Sequence, residues 1–270
     1  MSSNAEPQSS SPVAALRVLI AEDNVTNQKL ALAILHKQGY VAVVADDGRK
    51  AVEFYQRERF DLILMDMQMP EMDGLEATIA IRQLETVSGR RTPIVALTAN
   101  AMTTDRERCL NAGMDHYISK PLRPADLVET VQRLTSSNVM NPDQNPNQPP
   151  QPASNVDIFD YAASVSQVGD DPELLGQLAS VFLEQLPSLL PPLAQAVAAS
   201  DAPAIRKSAH SLSSSVSVLV APRAKNVARK LELMGLNSEL ATVPQTHAEL
   251  LSEFDTLRQT LQSTPELKAA

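Results

Sequence analysis

The chain has 270 residues, enough for two ordinary domains, and 43% of them are hydrophobic, a normal share for cores of that size. With no Trp, four Tyr and five Phe, those cores are aliphatic, which disfavours stacking platforms for nucleic acid. A formal net charge of -9 argues against the dense basic stripe that nucleic acid or an anionic membrane would need. The single cysteine, Cys109, makes neither an intrachain disulfide nor a metal cluster, so a reducing, cytoplasmic setting is expected.

Residues 1–12, MSSNAEPQSSSP, are small and polar, without the basic start and apolar run of a signal peptide, and read as a disordered tail. No stretch approaches the roughly 20 apolar residues of a membrane span. From residue 13 to 135 short apolar runs alternate with helical patterns. RVLIAED (17–23), VAVVAD (41–46), DLILMD (61–66), PIVALTAN (93–100) and HYISKP (116–121) are mostly too continuously apolar for half-exposed strands. The segments between and after them, such as NQKLALAILHKQ, GRKAVEFYQRE, GLEATIAIRQL and RPADLVETVQRL, have helical length. Five βα units in succession predict a doubly wound, five-stranded parallel sheet of α/β class.

Residues 136–154 turn to Pro, Asn, Gln and Ser and read as a linker of roughly 25 Å reach. From 155 to 264 apolar residues recur at spacings of three and four, predicting an all-α bundle of four or five helices. DDPELL (170–175) marks one helix start, Asp201 caps another and Pro222 opens a third. Residues 265–270 are expected to be a tail.

In a doubly wound sheet, ligands bind beyond the carboxyl ends of the strands, where strand order reverses. Glu22 and Asp23 end the first strand, Asp66 the third, Thr98 the fourth and Lys120 the fifth. Clustered carboxylates repel unless a cation neutralises them, and Mg²⁺ suits this oxygen set while leaving room for a phosphoryl group. With Mg²⁺ and Lys120 sharing the phosphoryl charge, Asp66 becomes a nucleophile able to form an acyl phosphate. Any one of these residues alone would read as a cap or a solvated strand end; the constellation is what carries the reading.

With LIAEDN, LILMDMQMPEMDG, ALTAN and YISKP, residues 17–136 resemble a response-regulator receiver domain. The resemblance implies that Asp66 accepts phosphate from a phosphohistidine and that Glu22, Asp23, Asp66 and the Gln68 carbonyl hold Mg²⁺. It further implies that Thr98 and Lys120 contact the phosphoryl group and that Tyr117 is a switch aromatic. Aspartate-nucleophile phosphatases use similar chemistry, but they place a second Asp two residues after the nucleophile, where this chain has Gln68.

RKSAHSLSSSVSVL (206–219) contains the remaining candidate. Read as a helix over 205–219, Ile205, Ala209, Leu212, Val216 and Leu219 form an apolar stripe. His210 falls off that stripe beside Arg206, Ser213, Ser214 and Ser217, and is expected to face solvent. Six of the eight Lys and Arg beyond residue 155 lie between 206 and 230 (Arg206, Lys207, Arg223, Lys225, Arg229, Lys230), a cationic patch suited to an acidic partner rim. His36, His116, His247 and Cys109 read as structural or surface residues.

Residues 155–262 resemble a histidine phosphotransfer domain, through FDYAASVSQVGDDPELLGQLASVFLEQLPSLLPPL and AHSLSSSVSVLVAP. The resemblance puts phosphate on His210. The family usually has lysine three residues after this histidine and glycine four after; here they are Ser213 and Ser214. Lys207, one turn before His210, is expected to restore part of the missing charge.

The chain shows no glycine-rich ATP-binding segment, so it is expected to be no kinase and no turnover enzyme. The leading reading is a phosphorelay intermediate: it receives phosphate on Asp66 from a separate sensor histidine kinase and exchanges it through His210 with a downstream receiver, touching neither nucleic acid nor membrane. The alternative is a phosphorylation-switched interaction protein whose bundle is a non-transferring docking module.

Overall fold

The computed structural model describes residues 15–98, 103–135 and 158–268, so the tail expected at 1–12 and the linker at 136–154 lie outside the described residues. The first part alternates β1 (Arg17–Ala21), α1 (Val25–Lys37), β2 (Val41–Ala45), α2 (Gly48–Arg57), β3 (Leu62–Asp66), α3 (Gly74–Ser88), β4 (Ile94–Thr98), α4 (Thr103–Asn111), β5 (His116–Ser119) and α5 (Pro124–Thr135). All strand pairs are parallel, in the order β2-β1-β3-β4-β5. The doubly wound sheet is therefore present, and its order reverses between β1 and β3.

Apolar side chains on both faces bury β3 and β4 completely, and β1 from Val18 on. The two edge strands, each with one strand neighbour missing, depart from the expectation of full burial: only Ala45 is buried in the VAVVA run of β2 and only Ile118 in β5. The register fixes the rim: Ala21 pairs with Met65, Asp66 with Leu97 and Thr98 with Ser119. The residues after β1, at the end of β3, at the end of β4 and after β5 thus reach one edge.

A close approach holds that edge in place. A Cβ on Gly74 would stand 2.1 Å from the Asp66 carbonyl oxygen, so only glycine lets the start of α3 pack under the end of β3. A capping box between Asp73 and Glu76 begins α3 at that point.

The second part is helical: α6 (Tyr161–Gln167), α7 (Pro172–Ala199), α8 (Ala202–Val216), α9 (Pro222–Asn237) and α10 (Val243–Ser263). Asp171 and Asp201 cap α7 and α8, as their sequence signals predict. α7 continues for 28 residues through Pro187, Pro191 and Pro192. These prolines lie on its exposed side, where water can serve the carbonyls that proline leaves unpaired. The stripe Ile205, Ala209, Leu212, Val216 and Leu219 is fully buried. α8 nevertheless stops at Val216, short of Leu219, where the Ser217 hydroxyl donates back to the Ser214 carbonyl. The expected tail begins with a 3-10 turn, Pro265–Leu267, whose Leu267 packs on the core. No helix among the described residues is long and apolar enough to cross a membrane.

Gly74→Ala should cost about 1–3 kcal/mol of stability, because the added methyl must displace backbone rather than a flexible side chain. Urea unfolding of the two proteins side by side measures it.

Candidate functional site

At the rim between β1 and β3, one ligand oxygen each from Glu22, Asp23 and Asp66 lies within 4.8 Å of the others. Glu22 and Asp66 are buried and Asp23 half-buried. The Lys120 ammonium stands 2.6 Å from Glu22 Oε2 and 2.8 Å from Asp66 Oδ2. On the other Glu22 oxygen, Oε1 accepts from Asn27 Nδ2 at 2.9 Å and from the Asn24 amide at 3.3 Å. The Gln68 amide reaches Asp66 Oδ1 at 3.4 Å.

One lysine faces three carboxylates, and the acids register the deficit. Burial, and then the charge of Asp66, push the Glu22 carboxyl up to about 8 and the Asp23 carboxyl to about 6. For Lys120 burial works the other way, but Asp66 and Glu22 outweigh it and hold the ammonium charged above its usual range. A compact, oxygen-only set with surplus negative charge suits a hard divalent cation such as magnesium. Thr98 is buried at the same rim, and Tyr117 is half-buried against the apolar layer that contains Met65 and Met67.

His210 does not face open solvent. It borders, together with Asp23, Asp66, Gln68 and Thr98, a cleft of about 770 Å³ between sheet and bundle. Burial and Asp66 raise the Asp23 carboxyl, and Lys120, then His210 from across the cleft, pull it down in smaller measure. The serines expected beside it on a solvated face, Ser213, Ser214 and Ser217, are buried. α8 ends here, and the start of α1 covers it: Asn27 Nδ2 donates to Ser214 Oγ at 2.8 Å and Asn24 Nδ2 donates to Ser215 Oγ.

Sequence reasoning missed the partner of His210. Glu232 Oε1 lies 2.9 Å from His210 Nδ1, and Arg229 approaches the other Glu232 oxygen at 3.3 Å. Burial alone would raise the Glu232 carboxyl; the His210 imidazole with Arg229 and Arg206 holds it below its ordinary value. A carboxylate accepting at Nδ1 places the proton there and leaves the Nε2 lone pair available. What brings the two together is Gly235, one turn on. A Cβ there would meet the Arg206 amide nitrogen at 2.6 Å and the Ala202 carbonyl at 2.8 Å, so glycine lets α9 lie close on α8. A glycine inside a helical pattern was the one available signal.

The expected cationic patch breaks up. Arg206, Lys207 and Arg229 line the cleft, Arg223 and Lys230 pair with Glu253 and Glu249 of α10, and Lys225 is half-buried outside both groups, with burial and then Arg229 lowering its ammonium.

The model of the response regulator receiver domain matches residues 18–132, and that of the Hpt domain matches residues 177–260. The chain therefore carries a receiver domain followed by an Hpt domain, as hybrid sensor kinases such as BarA and GacS do, and is a two-component phosphorelay protein. The signal transduction histidine-protein kinase BarA of Shigella flexneri is 31% identical over 253 residues, covering 89% of this chain and 26% of that protein. The sensor histidine kinase GacS of Pseudomonas protegens is 30% identical over 233 residues, covering 85% of this chain and 25% of that protein. The chain thus spans about a quarter of the length of either relative. Among solved structures, the receiver domain of a sensor histidine kinase from Pseudomonas aeruginosa, described with a magnesium ion in its active-site cleft, is 46% identical, covering 45% of this chain and 98% of that one at a TM-score of 0.42.

The lowered Glu232 carboxyl fixes a pH effect. Its contribution to folding is complete above its unfolded value, near 4.5, and is lost as pH falls through its lower folded value. The stability gap between the native chain and Glu232→Gln should accordingly be wider at pH 7 than at pH 3; urea midpoints at the two pH values measure it.

Proposed function

We propose that the chain is a phosphorelay intermediate in which Asp66 receives a phosphoryl group from the phosphohistidine of a separate sensor kinase, and His210 exchanges that group with a further receiver. The observation that carries this reading is the shared cleft, with the Asp66 carboxylate on one wall and the His210 imidazole on the other.

In the first step an Asp66 carboxylate oxygen bonds to phosphorus as the P–N bond to the donor histidine breaks. The bonding pair stays on the donor nitrogen, and an acyl phosphate forms. A magnesium ion held by Glu22, Asp23, Asp66 and the Gln68 carbonyl would offset the charge of the transferring oxygens. Lys120, 2.8 Å from Asp66 Oδ2, would answer the same charge, and Thr98 would donate its hydroxyl to a phosphoryl oxygen. Tyr117, paired with Ala96 on the neighbouring strand, is in this reading the aromatic whose ring would follow the state of Thr98.

In the second step the His210 Nε2 lone pair attacks the phosphorus of the acyl phosphate, the P–O bond to Asp66 breaks, and the carboxylate is restored. The Nδ1 proton stays directed at Glu232, whose negative charge stabilises the ring as it becomes cationic. Arg206 and Lys207 supply, from the helix turn before His210, positive charge that family members draw from a lysine at the Ser213 position.

Incubated with acetyl phosphate and magnesium, the chain should be labelled on Asp66, and Asp66→Asn should abolish that label. Labelling should quicken as pH rises from about 6 to about 8, because Glu22 and Asp23 then shed the protons with which a cation competes. His210→Gln should retain the Asp66 label yet stop onward exchange to a second receiver. A native chain that never carries label on His210 would instead favour a docking module.

A further inference from the structure

Between α1 and the bundle lies a contact that the relay chemistry does not require. Asn27 Nδ2 carries two hydrogens, and both are used: one goes to Glu22 Oε1 at 2.9 Å and one to Ser214 Oγ at 2.8 Å. Asn24 Nδ2 likewise donates to Ser215 Oγ and, at 3.4 Å, to the Ser211 carbonyl, while its side-chain oxygen caps α1. Asn24, Asn27, Ser214 and Ser215 are all buried; Ser215 Oγ also donates to the Ser211 carbonyl at 2.8 Å, so a mismatch would leave chiefly the two asparagine amides and the Ser214 hydroxyl unsatisfied. Around this polar centre Thr26 approaches Gln185 at 3.4 Å, and Lys37 pairs with Asp171 at 3.4 Å. A single cluster of apolar side chains runs from Ile20 and Leu64 of the sheet, past Ile34 of α1, to Leu175 and Phe182 of α7.

We propose that Ser214 and Ser215 are specificity-determining residues of the relay, selecting a receiver with asparagine at the places of Asn24 and Asn27, which in this chain is its own. The proposal rests on the reading of His210 as the phosphate carrier. It recasts Ser214, where the family has glycine, as the acceptor for an amide that glycine would leave unpaired. A receiver with an aliphatic residue in place of Asn27 would bury the Ser214 hydroxyl without a donor, so the pairing discriminates from both sides. Asn27 also holds Glu22, and docking of the bundle therefore fixes the orientation of an acid at the rim.

Zero-length carbodiimide coupling of the full chain reads the docked state directly, since Lys37 and Asp171 are in ion-pair contact. The native protein should give a Lys37–Asp171 link within single chains, found by mass spectrometry of the monomer band. Ser214→Ala combined with Ser215→Ala should lower the yield about tenfold, the worth of two hydrogen bonds. Ser214→Arg, which drives a long cation into Asn27, should abolish the link, and Ser214→Thr, which retains the hydroxyl, should preserve it. Circular dichroism of each variant separates undocking from unfolding. Equal yields from native and Ser214→Arg protein, or a link formed only between chains, overturn the proposal. Acetyl phosphate labelling of Asp66, run in parallel, reports on the relay reading separately: a chain that labels but does not link loses only the docking claim.

Discussion

The structure turns on an imbalance of charge: three carboxylates, two of them buried and the third half-buried, meet one ammonium. Lys120 pairs with Glu22 and Asp66 at once, and neither desolvation nor mutual repulsion is fully answered, as the raised Glu22 and Asp23 carboxyls record. A buried cluster of this kind contributes little net stability, because the cost of removing each charge from water is large. What it supplies is a fixed demand for further positive charge at the end of β3. The parallel register, the glycine at 74 and the asparagines at the start of α1 all serve to hold that demand in place.

The cleft presents the complementary half. Its bundle wall carries Arg206, Lys207 and Arg229 around an imidazole, and its sheet wall carries the acids. A phosphoryl group moving from Asp66 to His210 in the proposed relay leaves a site suited to metal-assisted charge and enters one suited to guanidinium and ammonium groups, so each wall can compensate it without rearrangement. Glu232 makes the histidine wall asymmetric: it holds Nδ1, and the proposed relay would use the other ring nitrogen. Arg229 in turn holds Glu232, so the carboxylate that orients the ring is itself constrained.

Much of this was legible in the chain because it follows from period and position. The apolar runs ending at Glu22, Asp66 and Thr98 read as buried parallel strands, the shorter HYIS run before Lys120 reads as a further strand beside them, and parallel strands bring their carboxyl ends to one edge. The helix caps at Asp171 and Asp201 follow from backbone donors that need acceptors. The rest depended on which surfaces meet. α7 crosses three prolines because they lie on its exposed side, a fact invisible until the helix is placed. The serines after His210 read as solvated because periodicity separates one face of α8 from the other without saying what covers it. Glu232 lies 22 residues from His210 on another helix, and only the close crossing at Gly235 brings them together.

That covering helix also changes how Asn27 should be understood. Taken within the sheet domain it is a local buttress for Glu22; taken with the bundle it becomes a joint between two sites. Its amide group can satisfy an acid and a serine together only in one orientation. Rotation of that amide breaks both bonds, and the cost falls on buried groups. Any change that draws Glu22 toward a cation must therefore carry Asn27 with it or stretch one of its two bonds, at 2.9 Å to Glu22 and 2.8 Å to Ser214. In such an arrangement the state of the acidic rim and the hold on the bundle are linked thermodynamically, and the linkage acts equally in both directions.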